Sequence, residues 1–167
     1  MPALIKIVTV MLLAGLPRQV TDPTLHAYNV PDQVERVLVD GPLSKTYELS
    51  FHINPFYLRA DYNGDGSGDF AVLVRQRNSG KFGVAVVDGR SSKVTILGAG
   101  SGPRAGGDDY AWMDYWYVYP KGPVQRGAGE RRVPQLRGDA LLMGKSESAS
   151  GLIYWDGKRF TWYQQGD

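Results

Sequence analysis

The sequence predicts a mainly β domain, an antiparallel meander or small propeller-like sheet assembly with one short N-terminal helix. Three observations carry this. Glycine is abundant at 21 residues, and tyrosine and tryptophan contribute 10 and 4, the mixture that short strands and tight turns require. From Tyr47 onward, short apolar or alternating runs recur between turn signals, the spacing of a meander. Near the end, "DG" at 156–157 joins "IYW" to "KRFTWYQ", which reads as a hairpin with a type I′ turn because Asp-Gly accepts positive φ.

The elements follow in chain order. "MPALIKIVTVMLLAGLPRQ" carries one lysine and then an apolar run from Ile7 to Leu16. That run is too short to span a bilayer and suits the core of a signal peptide. Residues 1–20 are therefore expected to be a signal peptide, and 21–167 one domain, with no transmembrane segment once the signal is removed. "LLAG" is followed by Leu16 rather than cysteine, so no lipoprotein box is formed. Residues 17–31, with prolines at 17, 23 and 31, read as a linker. In "VPDQVERVLVDGP", Pro31 and a candidate N-cap at Asp32 precede Val34, Val37 and Leu38 at helical spacing, and Gly41 and Pro42 end the run.

The strands come next. "YELSFHI" alternates Tyr47, Leu49, Phe51 and Ile53 with polar residues, the pattern of a half-buried strand. "FYLRADY" is a second strand. "DFAVLVR" is apolar throughout and is expected to be central. "FGVAVVD", "KVTILG", "ALLMGK" and "SGLIYW" complete the series, and "YAWMDYWYVYP" adds a strand dense in aromatics.

Composition excludes some chemistry. Cysteine is absent, which rules out disulfides, a cysteine nucleophile and thiolate metal sites. The formal charge is +2, and Lys6 and Arg18 account for as much within the N-terminal segment, so nucleic acid is not an expected partner. His26 falls in the linker and His52 in a strand pattern. No Gly-x-Ser-x-Gly elbow, His-Glu-x-x-His or phosphate loop occurs, and the expectation is a protein that is not an enzyme.

One stretch carries specific chemistry. Residues 61–69 read "DYNGDGSGD". With Asp61 as the first position, Asn63, Asp65, Ser67 and Asp69 fall at the third, fifth, seventh and ninth. A calcium loop takes side-chain oxygens at the first, third and fifth, a carbonyl at the seventh and a further oxygen at the ninth. Gly66 stands at the sixth, where the chain turns sharply. Three carboxylates on one short loop repel one another without a cation, and hard oxygen donors favour Ca²⁺ over Mg²⁺. Position twelve is Val72 rather than a bidentate glutamate, and the flanks read as strands, so the loop is not an EF-hand.

The nonapeptide, set between "FYLRA" and "FAVLV", resembles the calcium loops of FG-GAP and VCBS-type repeats of integrin-like propellers, with the pattern D-x-[DN]-x-D-G-x-x-D. The resemblance implies that Asp61, Asn63, Asp65 and Asp69 are side-chain ligands of Ca²⁺ and that Ser67 offers its carbonyl. A propeller repeats its unit several times, and only one such loop is visible here. The chain is also similar to small exported bacterial proteins of unknown function that carry a single such loop.

Other clusters have plainer readings beside the functional ones. "GGDDYAWMDYW" sets Asp108, Asp109 and Asp114 among Tyr110, Trp112, Tyr115 and Trp116, either a glycan-recognition surface or a strand with one buried face. Lys121, Arg126, Arg131, Arg132 and Arg137 form a basic run, either an anion-binding patch or a solvated loop. "KSESASGLIYW" has a short likeness to the Ser/Gly/Tyr loops of bacterial lysozyme inhibitors. The expectation is a periplasmic or secreted calcium-binding module that recognises a protein or a glycan. The alternatives are a periplasmic inhibitor or immunity protein against a cell-wall hydrolase, and a glycan-processing enzyme.

Overall fold

The computed structural model describes residues 30–127, 129–130 and 132–166. The expected signal peptide lies outside these residues, as does nearly all of the expected linker. The described residues form nine strands in two antiparallel sheets after one short helical segment. Neither sheet closes into a barrel. Among the described residues no helix is long and apolar enough to cross a membrane.

The helical segment begins as α1 (Asp32–Val34), continues as a π turn (Glu35–Val39) and is followed by a 3₁₀ turn (Pro42–Lys45). Pro31 precedes the first helical residue, and Asp32 lies inside the helix rather than capping it. Val30, Val34 and Leu38 recur every fourth residue and are buried on the first sheet against Val72, Val74, Ala85 and Val87. Gly41 ends the segment because the chain folds tightly back: a Cβ there would lie 2.5 Å from the carbonyl oxygen of Arg36.

The first sheet contains β1 (Tyr47–Leu49), β2 (Tyr57–Ala60), β3 (Asp69–Gln76), β4 (Phe82–Val87) and β5 (Val94–Gly98). β3, β4 and β5 form an antiparallel meander, and β1 and β2 share the other side of β3. β1 pairs with Val74–Gln76 and β2 with Asp69–Val72. Leu73 joins the two: its carbonyl accepts from Ser50 N and its amide donates to the Phe56 carbonyl, both at 2.9 Å. The alternation in "YELSFHI" therefore ends early. The chain leaves the ladder after Leu49, Phe51 is 48% exposed, and the detour returns past the cis Asn54–Pro55 bond.

β3 and β4 are apolar on both faces because both faces are covered. Ala71, Leu73, Val84 and Val86 meet the second sheet, while Val72, Val74, Ala85 and Val87 meet the helical segment. The second sheet is a plain meander of β6 (Tyr115–Tyr119), β7 (Ala140–Gly144), β8 (Ser150–Trp155) and β9 (Phe160–Gly166). Trp116, Leu141, Met143, Ile153 and Phe160 pack toward the first sheet. Trp116 also donates its indole N–H to the Pro55 carbonyl at 2.7 Å, tying the β1–β2 detour to the second sheet.

The outer face of the second sheet is covered by the segment between β6 and β7. Val124 and Leu136 pack on Ala140, Leu142, Leu152 and Tyr163. The basic stretch thus anchors its few apolar residues in the fold while Lys121, Arg126, Arg132 and Arg137 stay exposed. The order of layers is helical segment, first sheet, second sheet, strap.

The β8–β9 hairpin differs from the expected type I′ turn. Asp156 N donates to the Arg159 carbonyl, so Gly157 and Lys158 are the central residues, and only Gly157 has positive φ. Asp156 instead caps the turn, accepting from Lys158 N and Arg159 N at 2.8 and 2.9 Å.

Candidate metal centre

The acidic loop connects β2 to β3, with Asp61 just after one strand and Asp69 opening the next. Its side chains curl over their own backbone, as aspartate and asparagine do in Asx turns. The Asp61 carboxylate accepts from the amides of Gly64, Asp65 and Gly66 at 2.8–3.0 Å. Asn63 Oδ1 accepts from Asp65 N, and Asp65 Oδ1 from Ser67 N, both at 2.8 Å.

Asp69 is different in kind. It is 1% exposed, the one buried charged side chain among the described residues. It accepts from Tyr62 N, Asn63 N and Gly89 N, and so draws together both ends of its own loop and the β4–β5 connection. Burial raises its pKa, the three amides lower it, and the neighbouring Asp88 carboxylate raises it. The net direction is upward. A buried carboxylate still held up after three hydrogen bonds gains from a cation nearby.

Two further acids, which spacing within the loop could not reveal, complete the surroundings. Asp88, in the β4–β5 connection, accepts from Asn63 Nδ2 at 2.8 Å. Burial opposes its charge, but Ser91, Arg90 and Asn63 donate to it and bring its pKa below the ordinary carboxylate value. Asp139, just before β7, accepts from Asp61 N at 3.2 Å and from Lys121 N at 2.8 Å. The sequence signals were slight: an Asp-Gly pair closing one strand and a Gly-Asp pair opening another.

The loop also lies against the second sheet. A Cβ on Gly64 would stand 2.5 Å from the Arg137 carbonyl oxygen, and one on Gly138 would stand 2.2 Å from that of Asp61. Gly66, by contrast, faces open space. Gly64 and Gly66 both have positive φ.

The donor set suits a hard cation. A carboxylate offers about four lone-pair positions and an amide oxygen two; Asp61 and Asp69 each use three on amides, Asn63 Oδ1 uses one of its two, and Asp65 retains the most. Against this, Arg90 already faces Asp65, with Nε 3.5 Å from Oδ2 and one guanidinium nitrogen donating to the Asp65 carbonyl. Among the described residues no three Asp, Glu, His or Cys side chains are grouped as a ready-made metal cage. These hydrogen bonds shape the loop.

The other candidate clusters are taken up by local structure. Asp108 pairs with Lys81 and accepts from Gly102 N. Asp109 accepts from Phe82 N and Ala111 N, and Asp114 from the amide and hydroxyl of Ser146. Tyr110, Met113 and Trp116 are core residues, so the aromatic stretch is turn and core up to Tyr115, where the strand starts. The Ser146 of the serine loop is thereby tied to Asp114.

No family model, curated protein or solved structure matches the chain.

Proposed function

We propose that this chain is a calcium-stabilised, non-catalytic recognition module working in the periplasm or outside the cell. The observation that carries the reading is the placement of the 61–69 loop. A loop with hard-oxygen side chains at calcium-loop spacing lies where the first sheet, the β4–β5 connection and the second sheet meet. An ion held by Asp61, Asn63, Asp65 and Asp69, with the Ser67 carbonyl, would neutralise the buried charge of Asp69 and stiffen that junction. Its contribution is electrostatic and structural. The exported setting follows from the apolar run of residues 7–16 and from the millimolar calcium available there, which fills even a weak site. Recognition rather than turnover is supported by Asp108, Asp109 and Asp114, whose carboxylates serve neighbouring backbone and side chains.

The test is thermal unfolding in calcium and in chelator, for the wild type, Asp65→Ala and Arg90→Gln. Calcium at a hundred times its dissociation constant is expected to add about 2.7 kcal/mol. Asp65→Ala should abolish the response, and Arg90→Gln, which removes the competing cation, should enlarge it. Identical melting with and without calcium would leave the loop a hydrogen-bonded turn and remove the metal from the reading.

A further inference from the structure

The seam between the two sheets opens beside the acidic loop into two adjoining clefts. The inner one, of about 230 Å³, is lined by Asp88, Lys93, Thr95 and Phe160 among others. The outer one, of about 620 Å³, is lined by Lys121, Gln135, Arg137 and Asp156 among others. Asn63 and Trp155 line both, so Trp155 borders both parts of the groove, with Lys121 and Arg137 beside it in the outer one.

We propose that this groove binds an acidic saccharide, with a sugar ring against Trp155 and its carboxylate on Arg137 and Lys121. The proposal deepens the recognition reading by naming its ligand class, and it does not depend on calcium. Four observations support it. Trp155 is half-buried and braced by Phe160, whose ring centre lies 5.1 Å away at 63°, so it is held as a rigid platform. An aromatic side chain with an apolar face and a polar N–H suits a ligand that has both C–H faces and hydroxyls.

Next, the cations are available. Lys93, Lys121 and Arg137 are exposed, and their side chains form no ion pair among the described residues, whereas Arg75, Arg77, Lys81, Arg90 and Arg159 do. The acids of the groove do not cancel them, because Asp88 is committed to Ser91, Arg90 N and Asn63 and Asp156 to its own hairpin.

Third, Arg137 is seated. Its guanidinium lies over Gly157, where a Cβ would come within 2.8 Å of Cζ, and its carbonyl lies against Gly64. The bare glycine of the hairpin makes the room that positions this arginine in the groove. A planar guanidinium recognises a carboxylate through two parallel hydrogen bonds.

Last, the outer cleft offers polar groups suited to sugar hydroxyls. The Asp156 carboxylate keeps acceptor positions beyond the two amides of its hairpin, and the exposed Gln135 adds an amide. The larger cleft also falls within the size range of ligand sites, about 300–1,000 Å³.

The experiment is titration of the full chain with a short oligogalacturonate, followed by the Trp155 indole N–H resonance and by calorimetry, in calcium and again in chelator. A neutral cello-oligosaccharide of equal length and a single-stranded oligonucleotide are the comparison probes. Oligogalacturonate is expected to shift the Trp155 resonance, and Arg137→Gln, an exposed change that should leave folding intact, to weaken binding about tenfold, the value of one charge-assisted contact. Gly157→Ala, whose Cβ would displace the Arg137 guanidinium from its seat, should weaken it similarly. Absence of a Trp155 shift, unchanged binding by Arg137→Gln, or equal affinity for the neutral sugar or the oligonucleotide would each overturn the proposal. A calcium-dependent melting temperature without saccharide binding would sink this proposal and leave the metal reading standing. Binding that persists in chelator alongside calcium-independent melting would do the reverse.

Discussion

Asp61 and Asp139, 78 residues apart, hold each other through a reciprocal pair of hydrogen bonds. Asp139 N donates to the Asp61 carbonyl at 2.7 Å and Asp61 N donates to Asp139 Oδ2 at 3.2 Å. This pair fastens the end of β2 to the start of β7, one sheet to the other. The second oxygen of Asp139 accepts from Lys121 N, so the same side chain also secures the start of the strap. Asp139→Ala leaves two amides without their acceptor and is expected to cost about 1–3 kcal/mol. Denaturant unfolding measures it; a loss below a few tenths would mean that water replaces the carboxylate at no cost.

Gly64 and Gly66 separate two physical effects. Both require positive φ, a conformation that costs an L-residue about 1–2 kcal/mol. A Cβ added at Gly66 would meet nothing within 4 Å, so Gly66→Ala should show that strain alone. Gly64→Ala adds a collision with the Arg137 backbone at 2.5 Å, which can be relieved only by parting the loop from the second sheet. Gly64→Ala should therefore lower the melting temperature well beyond Gly66→Ala. Equal losses would show that the loop does not press on the second sheet.

Much of this architecture is legible in the sequence. "DFAVLVR" announces a central strand, and Val34, Val37 and Leu38 keep the spacing of a helix that packs on the first sheet. The break after Leu49 is not legible, because local alternation continues to Ile53 while the decision is made by Leu73, whose two backbone groups take different partners on either side of the gap. The loop shows the same division. Asp61, Asn63, Asp65 and Asp69 stand out by spacing, and in the structure each accepts from backbone amides. Asp88 and Asp139 reach the loop only through folding, and no local pattern places residues just after β4 and just before β7 beside a loop before β3. The seat of Arg137 on Gly157 is hidden for the same reason.

Tyr62 gives a prediction of the opposite sign. Its ring fills the core between the sheets at 1% exposure, yet its hydroxyl has no hydrogen-bond partner. Burial, then the Asp139 and Asp69 carboxylates, push its pKa far upward, so it stays protonated. A buried unmatched hydroxyl costs about 1–3 kcal/mol, and Tyr62→Phe removes it while keeping the ring. The variant should be as stable as the wild type or more so in chemical denaturation. A loss of stability would mean that the hydroxyl has a partner in solution.

His52 should make the fold sensitive to mild acid. Its Nδ1 lies 2.7 Å from the hydroxyl of the buried Ser50, and its ring centre 4.4 Å from that of Phe82. Burial holds its pKa below the ordinary value of 6.5. Between the folded value and 6.5 the unfolded chain binds more protons than the folded one, so stability rises with pH across that window and falls on acidification. Its contribution is fully present above 6.5 and is lost as the pH drops through the folded value. To isolate the imidazole, the comparison is with His52→Gln, unfolded by denaturant at several pH values between about 5 and 8. The wild type should lose more stability than the variant on the acid side, the two curves running parallel above neutrality. Curves parallel throughout would show that the imidazole is as free to protonate in the fold as in the open chain.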